Sequence, residues 1–280
     1  MHFTKMSGSG NDFIFIDNRS GAIGNGSAPA LARSLCRHRV SVGADGIVLL
    51  SDPPAGSPVS YRWRYINADG SDGELCGNAS MCSARFALRH GLAGAHHSFL
   101  TDSGVIEAWA DASSDLVTIA MPDTSGCGEP VALEVRDREL VATPITVGVP
   151  HCVIQVDDAD RFGDGPEFEA IGREIRHHPA FAPAGTNVNV ISPLENHVWR
   201  MRTYERGVER ETLACGTGVV ACSVVLAKGG LTTPPVSVKV SGGNILQAMF
   251  ATHEHGASDV RLSGSATFVY DANLDPEALV

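Results

Sequence analysis

The stretch CGNASMCSARFALR at residues 76–89 has a counterpart in the second half of the chain, CGTGVVACSVVLAK at residues 215–228. Each stretch opens with a Cys-Gly pair and continues through small and apolar residues with few helix breakers. This pattern predicts one helix over residues 78–89 and another over residues 217–228. In each half of the chain, a predicted helix therefore follows directly after a Cys-Gly pair.

Two further segments repeat in the same order. GSGNDFIFIDN at residues 8–18 aligns with GVPHCVIQVDD at residues 148–158, and LARSLCRH at residues 31–38 aligns with IGREIRHH at residues 171–178. Ordered matches of this kind indicate an internal duplication.

The duplication predicts an α+β fold of two pseudo-symmetric lobes that face each other across a central cleft. We expect an N-terminal lobe over residues 1–122 and a C-terminal lobe over residues 123–265. Residues 266–280 would return to complete the N-terminal lobe.

Composition excludes several classes of protein. The chain has 280 residues, 43% of them hydrophobic and 19% charged, and it has no apolar run long enough for a membrane span. The net charge of −11 disfavours a nucleic-acid partner. The first residues lack the pattern of a secretory signal, so we expect a cytoplasmic location. Seven cysteines are an odd number, which favours thiols over a disulfide framework.

The predicted helix starts are suited to binding an anion. Backbone N–H groups in the first turn of a helix have no partner within the helix, and the helix dipole favours negative charge there. A glycine after each cysteine allows a ligand to approach the backbone closely. The N–H groups in question belong to Gly77, Asn78, Gly216 and Thr217.

The two cysteines themselves suggest proton transfer. A helix N-terminus stabilises a thiolate and lowers the pKa of a cysteine from about 8.5 to roughly 3.5–7.5. One thiolate and one thiol on opposite sides of a carbon could invert a stereocentre without a cofactor. The alternatives are that Cys76 and Cys215 are buried apolar residues or zinc ligands. The spacings from Cys76 to Cys82 and from Cys215 to Cys222 are too long for a zinc knuckle.

Several motifs together resemble the diaminopimelate epimerase family. They are GSGNDF (8–13), VGADG (42–46), NADGSDGELCGN (67–78), PHC (150–152), GTN (185–187) and ERGVERETLACGTG (205–218). The resemblance implies cofactor-independent interconversion of LL- and meso-2,6-diaminopimelate in lysine and peptidoglycan precursor biosynthesis. It further implies a homodimer, a small-molecule substrate and no bound metal.

The same resemblance assigns roles by position. Cys76 and Cys215 would be the acid/base residues, and His151 with Glu205 would tune their protonation. Glu205 would also accept a hydrogen bond from a substrate amino group. The remaining substrate contacts would come from Asn11, Asn67, Gly77, Asn78, Asn187, Arg206, Gly216 and Thr217, with Arg206 on the distal carboxylate.

Four positions depart from the pattern of the family. Val149 stands where relatives commonly have asparagine, and Gly46 stands where many have glutamine. Ala79 and Met81 replace the usual glycine and arginine after the first cysteine. These changes leave the fine substrate specificity open.

Other functions compete with this interpretation. A racemase of a single-centre amino acid could use the same scaffold, although it would leave Arg206 buried and unpaired. A pyridoxal-phosphate enzyme would need Lys5, Lys228 or Lys239, and none lies in a convincing motif. The segment GSGN could begin a nucleotide-binding loop, but it lacks the remaining glycines or lysine of the known motifs. A metal-binding role would use the pairs His96-His97, His177-His178 and His253/His255, which we expect to be solvated at the surface.

Overall fold

A computed structural model describes residues 1–73 and 76–279, and they form two compact units. Unit 1 comprises Met1–Ile119 and Ser263–Val280, and unit 2 comprises Ala120–Leu262. The strands that begin in unit 1 are β1 His2–Gly8, β2 Asn11–Asp17, β3 Gly46–Ser51, β4 Tyr61–Asn67, β5 His96–Thr101, β6 Gly104–Ala110 and β7 Leu116–Ala120. Its helices are α1 Ala28–Leu35 and α2 Gly77–Arg89.

Unit 2 contains the remaining elements. Its strands are β8 Val131–Val135, β9 Arg138–Val147, β10 Val149–Gln155, β11 Asn187–Pro193, β12 Val198–Glu205, β13 Arg210–Thr212, β14 Val236–Lys239 and β15 Ile245–His253. Its helices are α3 Gly165–Arg176 and α4 Gly216–Lys228, and 3-10 turns lie at Pro179–Phe181, Glu195–His197 and, near the C-terminus, Pro276–Leu279. The long strand β16, Gly256–Asn273, begins in unit 2 and ends in unit 1.

The sheet of unit 1 closes on itself through β16. The strand order runs β1-β2-β3-β4-β5-β6-β7-β16, and β16 also pairs with β1. In the antiparallel β1–β16 ladder, Met6 lies opposite Phe268 and Gly8 lies opposite Ala266. The C-terminal segment is thus a structural strand of the first unit, although it is remote in sequence.

The sheet of unit 2 repeats this arrangement. In unit 1 the parallel pairs are β2 with β3 and β4 with β5, and in unit 2 they are β10 with β11 and β12 with β14. Each parallel pair is connected through a helix, as parallel strands require. The order β1-β2-α1-β3-β4-α2-β5-β6 therefore recurs as β9-β10-α3-β11-β12-α4-β14-β15. The α+β fold of two repeated lobes predicted from the sequence is confirmed.

Helices α1 and α3 each bury only one face. The buried residues of α3 are Phe168, Ile171, Gly172 and Ile175, which recur at the spacing of one helix face. They pack in one cluster with alternate residues of the neighbouring strands, among them Ile154 and Val190. Successive strand residues point to opposite faces, so His151, Val153 and Asn189 point away from α3.

Helices α2 and α4 are buried on nearly all sides. In α2 every residue from Asn78 to Ala84 is buried, and in α4 every residue from Gly218 to Val224 is buried. Such helices belong inside a core and not at a surface. The ring of Phe86 in α2 stacks on Phe15 of β2 with 5.4 Å between centroids, which places α2 against the face of the sheet opposite α1.

Both buried helices end in the same way. Gly91 and Gly230 have φ angles of 67° and 73°, and the next residue donates back to the preceding turn. Leu92 N donates to Ala87 O over 2.8 Å, and Leu231 N donates to Leu226 O over 3.0 Å. This is the Schellman arrangement, which needs a left-handed residue that glycine adopts at low cost.

Among the helices of residues 1–73 and 76–279, none combines the length and the apolar character that crossing a bilayer requires.

The close packing of α3 can be tested by alanine substitution at two glycines of this helix. A Cβ at Gly172 would lie 2.6 Å from Cβ of the buried Tyr204, whereas a Cβ at Gly165 would meet nothing within 4 Å. We expect Gly172→Ala to lower the free energy of unfolding by about 1–3 kcal/mol because the core is overpacked. Gly165→Ala should change it by less than about 0.5 kcal/mol. Urea titration of both variants checks this, and equal effects would contradict the packing.

Candidate functional site

Cys76 and the start of α2 form the first candidate element, in unit 1. Cys76 is half-buried and caps the helix in an extended conformation, with φ −128° and ψ 109°. Its carbonyl already accepts from Ser80 N over 2.9 Å, as an N-cap residue should. The side chain makes no capping hydrogen bond, so it leaves the N–H groups of the first turn available.

Cys215 and the start of α4 have the same geometry in unit 2. Cys215 caps the helix with φ −133° and ψ 106°, and its carbonyl accepts from Val219 N over 3.0 Å. Its Sγ lies 3.4 Å from the hydroxyl oxygen of Thr217. A side chain at Gly218 would begin 3.3 Å from this sulfur, so the glycine keeps space open beside it.

Asn11 and Asn78 lie together at the start of α2. The Asn11 amide group donates to Asp45 Oδ2 over 2.8 Å, and Asn78 Nδ2 donates to Asn11 Oδ1 over 2.8 Å. Asp45 thereby fixes the orientation of both amides, because its carboxylate can only accept. Asn78 Oδ1 is buried and has no hydrogen-bond partner among the described residues.

Asn67 ends strand β4, and its Nδ2 donates to Ser71 Oγ over 3.0 Å. Near it, the ring of Tyr65 packs between Gly46 and Gly73. A Cβ added at Gly46 would lie 2.5 Å from the Tyr65 ring, and one at Gly73 would lie 2.2 Å from it. The space that a side chain at position 46 would occupy is therefore filled by the ring of Tyr65.

Asn187 and Arg206 are linked in unit 2. Asn187 Oδ1 accepts from Arg206 N over 2.8 Å, and Asn187 Nδ2 donates to Pro150 O over 3.2 Å. The Arg206 side chain is half-buried and donates to Ala184 O over 3.3 Å. The guanidinium is thus less buried than expected, and one of its donors already has a backbone partner.

His151 lies within β10 and lines a cavity of about 200 Å³ in unit 2. Pro150, Gly185 and Thr186 line the same cavity. Burial and the nearby charge of Arg206 lower the pKa of His151 to about 3. The imidazole is therefore neutral at physiological pH.

Glu205 ends strand β12 and is half-buried. Burial raises the pKa of its carboxyl group above the ordinary value, and the neighbouring Thr212 hydroxyl opposes that shift. A carboxyl group whose ionised form is disfavoured in this way is a candidate for proton transfer.

Three of the positions that depart from the expected motif pattern lie in packed surroundings. Ala79 and Met81 are fully buried in the core of unit 1. Val149 is half-buried at the start of β10, where it pairs with Val147. The changes at positions 79 and 81 are therefore changes in packing.

The histidines and lysines named by the competing interpretations lie in different surroundings. His97 is buried, with its Nδ1 2.7 Å from Gly94 O, so the expectation of a solvated histidine is wrong at this position. Within the described residues, no group of three or more histidine, cysteine or acidic side chains is arranged to hold a metal ion. Lys5 is buried and forms an ion pair with Asp12 over 2.5 Å.

Sequence reasoning missed two residues that orient the candidate site. Asp45 holds the Asn11 and Asn78 amides in unit 1. Asn189 contacts His151 in unit 2, with 3.1 Å between Asn189 Nδ2 and His151 Nδ1. Asn189 follows Asn187 by two residues on one strand, so the alternation of strand faces could have indicated that both point the same way.

Comparison with known proteins identifies relatives along nearly the whole chain. The family model described as diaminopimelate epimerase matches residues 3–123 and 143–269. The diaminopimelate epimerase of Aquifex aeolicus is 37% identical, covering 100% of this chain and 99% of the relative. That of Hydrogenobaculum sp. is also 37% identical, covering 99% of both chains. A hydroxyproline epimerase from Agrobacterium vitis shares the fold, with a TM-score of 0.68 at 17% identity over 100% of this chain and 94% of that one.

The environment of Glu205 predicts a pH-dependent gain in stability on its removal. Burial makes the pKa of this carboxyl group higher in the folded state than in the unfolded state. As the pH rises from the unfolded-state pKa to the folded-state pKa, the folded state loses stability, and the loss remains at higher pH. We expect Glu205→Gln to be more stable than the unmodified chain at pH 7, with little difference at pH 4. Thermal unfolding at both pH values measures this. The exposed Glu134→Gln serves as control, and a stability difference for Glu205→Gln that is independent of pH would contradict the burial argument.

Proposed function

Since the chain belongs to the diaminopimelate epimerase family and is an epimerase, we propose that it interconverts LL- and meso-2,6-diaminopimelate without a cofactor, using Cys76 and Cys215 as its acid/base pair. The observation that carries this proposal is the matched geometry of the two cysteines. Each caps a buried helix in the same extended conformation and is followed by a glycine.

In the proposed reaction, one cysteine is a thiolate and removes the α-proton from one face of the substrate. The other cysteine is a thiol and delivers its proton to the opposite face of the resulting carbanion. The stereocentre is inverted, and the two sulfurs exchange protonation states. A helix N-terminus favours a thiolate, so each helix stabilises its cysteine in the charged state.

The α-carboxylate would be held by the first-turn N–H groups of Gly77, Asn78, Gly216 and Thr217. These N–H groups and the helix dipoles would also stabilise the negative charge that develops next to the carboxylate when the proton leaves. Asn78 Oδ1, which is buried without a partner among the described residues, adds an acceptor suited to an ammonium group.

The second end of the substrate would be recognised by polar side chains. Arg206 uses one guanidinium nitrogen on Ala184 O, and its remaining donors suit a distal carboxylate. Asn11, Asn67 and Asn187 retain unused hydrogen-bonding capacity on their amides. Glu205 would accept from an amino group and, with His151, tune the protonation of the cysteines.

The proposal includes the cellular setting that the family resemblance implies. The product would enter lysine and peptidoglycan precursor biosynthesis, and the protein would act as a cytoplasmic homodimer. The odd number of cysteines fits a reducing compartment.

The substrate is tested by hydrogen exchange in D₂O. We expect purified, reduced protein without added cofactor to incorporate deuterium at the α-carbon of diaminopimelate, because the proton that is delivered comes from a thiol in exchange with solvent. Proline, hydroxyproline and histidine should show no exchange. Mass spectrometry of the recovered amino acids gives the result. Exchange with one of these and none with diaminopimelate would reject the substrate.

The acid/base pair is tested by single substitutions. Cys76→Ala and Cys215→Ala should each lower kcat for epimerisation by on the order of 10²- to 10⁴-fold, because each removes one of the two proton-transfer groups. Cys127→Ala, at a half-buried thiol outside both helix starts, is the control and should keep its activity. Circular dichroism confirms folding. Full activity of either Cys76→Ala or Cys215→Ala would reject the assignment.

A further inference from the structure

Three polar side chains form a buried cluster on the face of unit 2 that packs against α4. They are His151 of β10, Asn189 of β11 and Thr203 of β12, each less than 3% exposed. Thr203 lies directly opposite Asn189 across the β11–β12 ladder, and Asn189 lies diagonally from His151 across the β10–β11 ladder. Buried polar groups of this kind need partners, and here they supply one another.

The orientation of the Asn189 amide follows from its other contacts. Asn189 Nδ2 lies 3.0 Å from the carbonyl oxygen of Cys152, which can only accept a hydrogen bond. The amide nitrogen must therefore face Cys152, and the amide oxygen accepts from the Thr203 hydroxyl over 3.0 Å. A flipped amide would place two oxygens against each other at Cys152.

With the amide fixed, the protonation of His151 is also fixed. Asn189 Nδ2 faces His151 Nδ1 at 3.1 Å and donates to it. A ring nitrogen that accepts a hydrogen bond carries no proton, so in the neutral imidazole the proton is on Nε2. His151 Nε2 is buried and has no hydrogen-bond partner within residues 1–73 and 76–279.

We propose that Asn189 is a positioning residue that holds His151 as its neutral Nε2–H tautomer, so that His151 gives a hydrogen bond to the reacting species and does not take a proton from it. The tautomer is a property of the protein alone. The use of the donor in catalysis rests on the proposed function.

Two further observations agree with this role. Burial and the charge of Arg206 keep His151 neutral at physiological pH, so that a tautomer can be defined there. Asn189 also lies against the first turn of α4, where a Cβ at Gly218 would come within 2.5 Å of its amide oxygen. The cluster is therefore held rigidly beside the turn that carries Cys215.

The direct test is long-range ¹H–¹⁵N NMR on protein labelled with ¹⁵N-histidine, without substrate. The chain has eleven histidines, and the spectrum of His151→Gln identifies the signals of His151 by their loss. We expect a protonated Nε2 and an unprotonated Nδ1 at pH 7. A protonated Nδ1 of His151 in the unmodified protein would overturn the proposal.

Two variants test whether Asn189 is the cause. Leucine is similar in size to asparagine, and Asn189→Leu removes the amide donor that faces His151 Nδ1. Both tautomers of His151 should therefore become populated in this variant. Thr203→Val removes a hydrogen bond from the same cluster but leaves Asn189 Nδ2 on the Cys152 carbonyl, so the single tautomer should persist. A single Nε2–H tautomer in folded Asn189→Leu, or mixed tautomers in Thr203→Val, would overturn the role of the amide.

Kinetics separate positioning from mere packing. In Asn189→Leu we expect kcat for diaminopimelate to fall by roughly 10- to 100-fold, the range seen when a group that orients an active-site ligand is lost. KM should change much less, because the substrate does not touch Asn189. An unchanged kcat with mixed tautomers would reject the catalytic use of the donor. Failure of the exchange test with diaminopimelate would reject the substrate and leave the NMR result standing.

Discussion

The central constraint on this protein is the burial of one helix inside the sheet of each unit. A helix that is covered on nearly all sides can present only its ends to a ligand. The C-terminal ends of α2 and α4 are closed by the same glycine-containing turn, which uses their last carbonyl groups. At the N-terminal ends, neither cap side chain makes a hydrogen bond to the N–H groups of the first turn. Cys76 and Cys215 lie at these N-terminal ends, which are the ends suited to binding an anion.

Close packing around the buried helices depends on small residues at a few positions. A Cβ at Gly8 would lie 2.8 Å from both Asn78 O and Cys82 Sγ, and a Cβ at Gly218 would lie 2.5 Å from Asn189 Oδ1. The first glycine lets α2 lie close to strand β1, and the second lets the first turn of α4 lie against the Asn189 side chain of β11. The start of α2 is thus held by the hydrogen bond from Asn78 to Asn11 as well as by packing, which orients it more specifically than packing alone.

Three residues of the candidate site, Glu205, His151 and Asn78, are held in states that lower the stability of the folded protein. Glu205 has a raised pKa because it is buried, and His151 and Asn78 each carry a buried polar atom without a partner among the described residues. An unsatisfied buried polar group costs about 1–3 kcal/mol. Such groups are rare in folded proteins, and a catalytic role is one of the reasons for which they are kept. In each unit, such a group therefore agrees with a role in a functional site.

The sequence by itself determined the duplication, the α+β class, the two Cys-Gly helix starts and the family, because each depends on residues that are close together in the chain. Tertiary structure decided what depends on distant residues. It set the pairing of β16 with β1 and β7, showed that Ala79, Met81 and His97 are buried, and placed a backbone carbonyl against the Arg206 guanidinium. It also revealed the contacts of Asp45 with Asn11 and of Asn189 with His151, because these contacts join residues that are 34 and 38 positions apart in the chain.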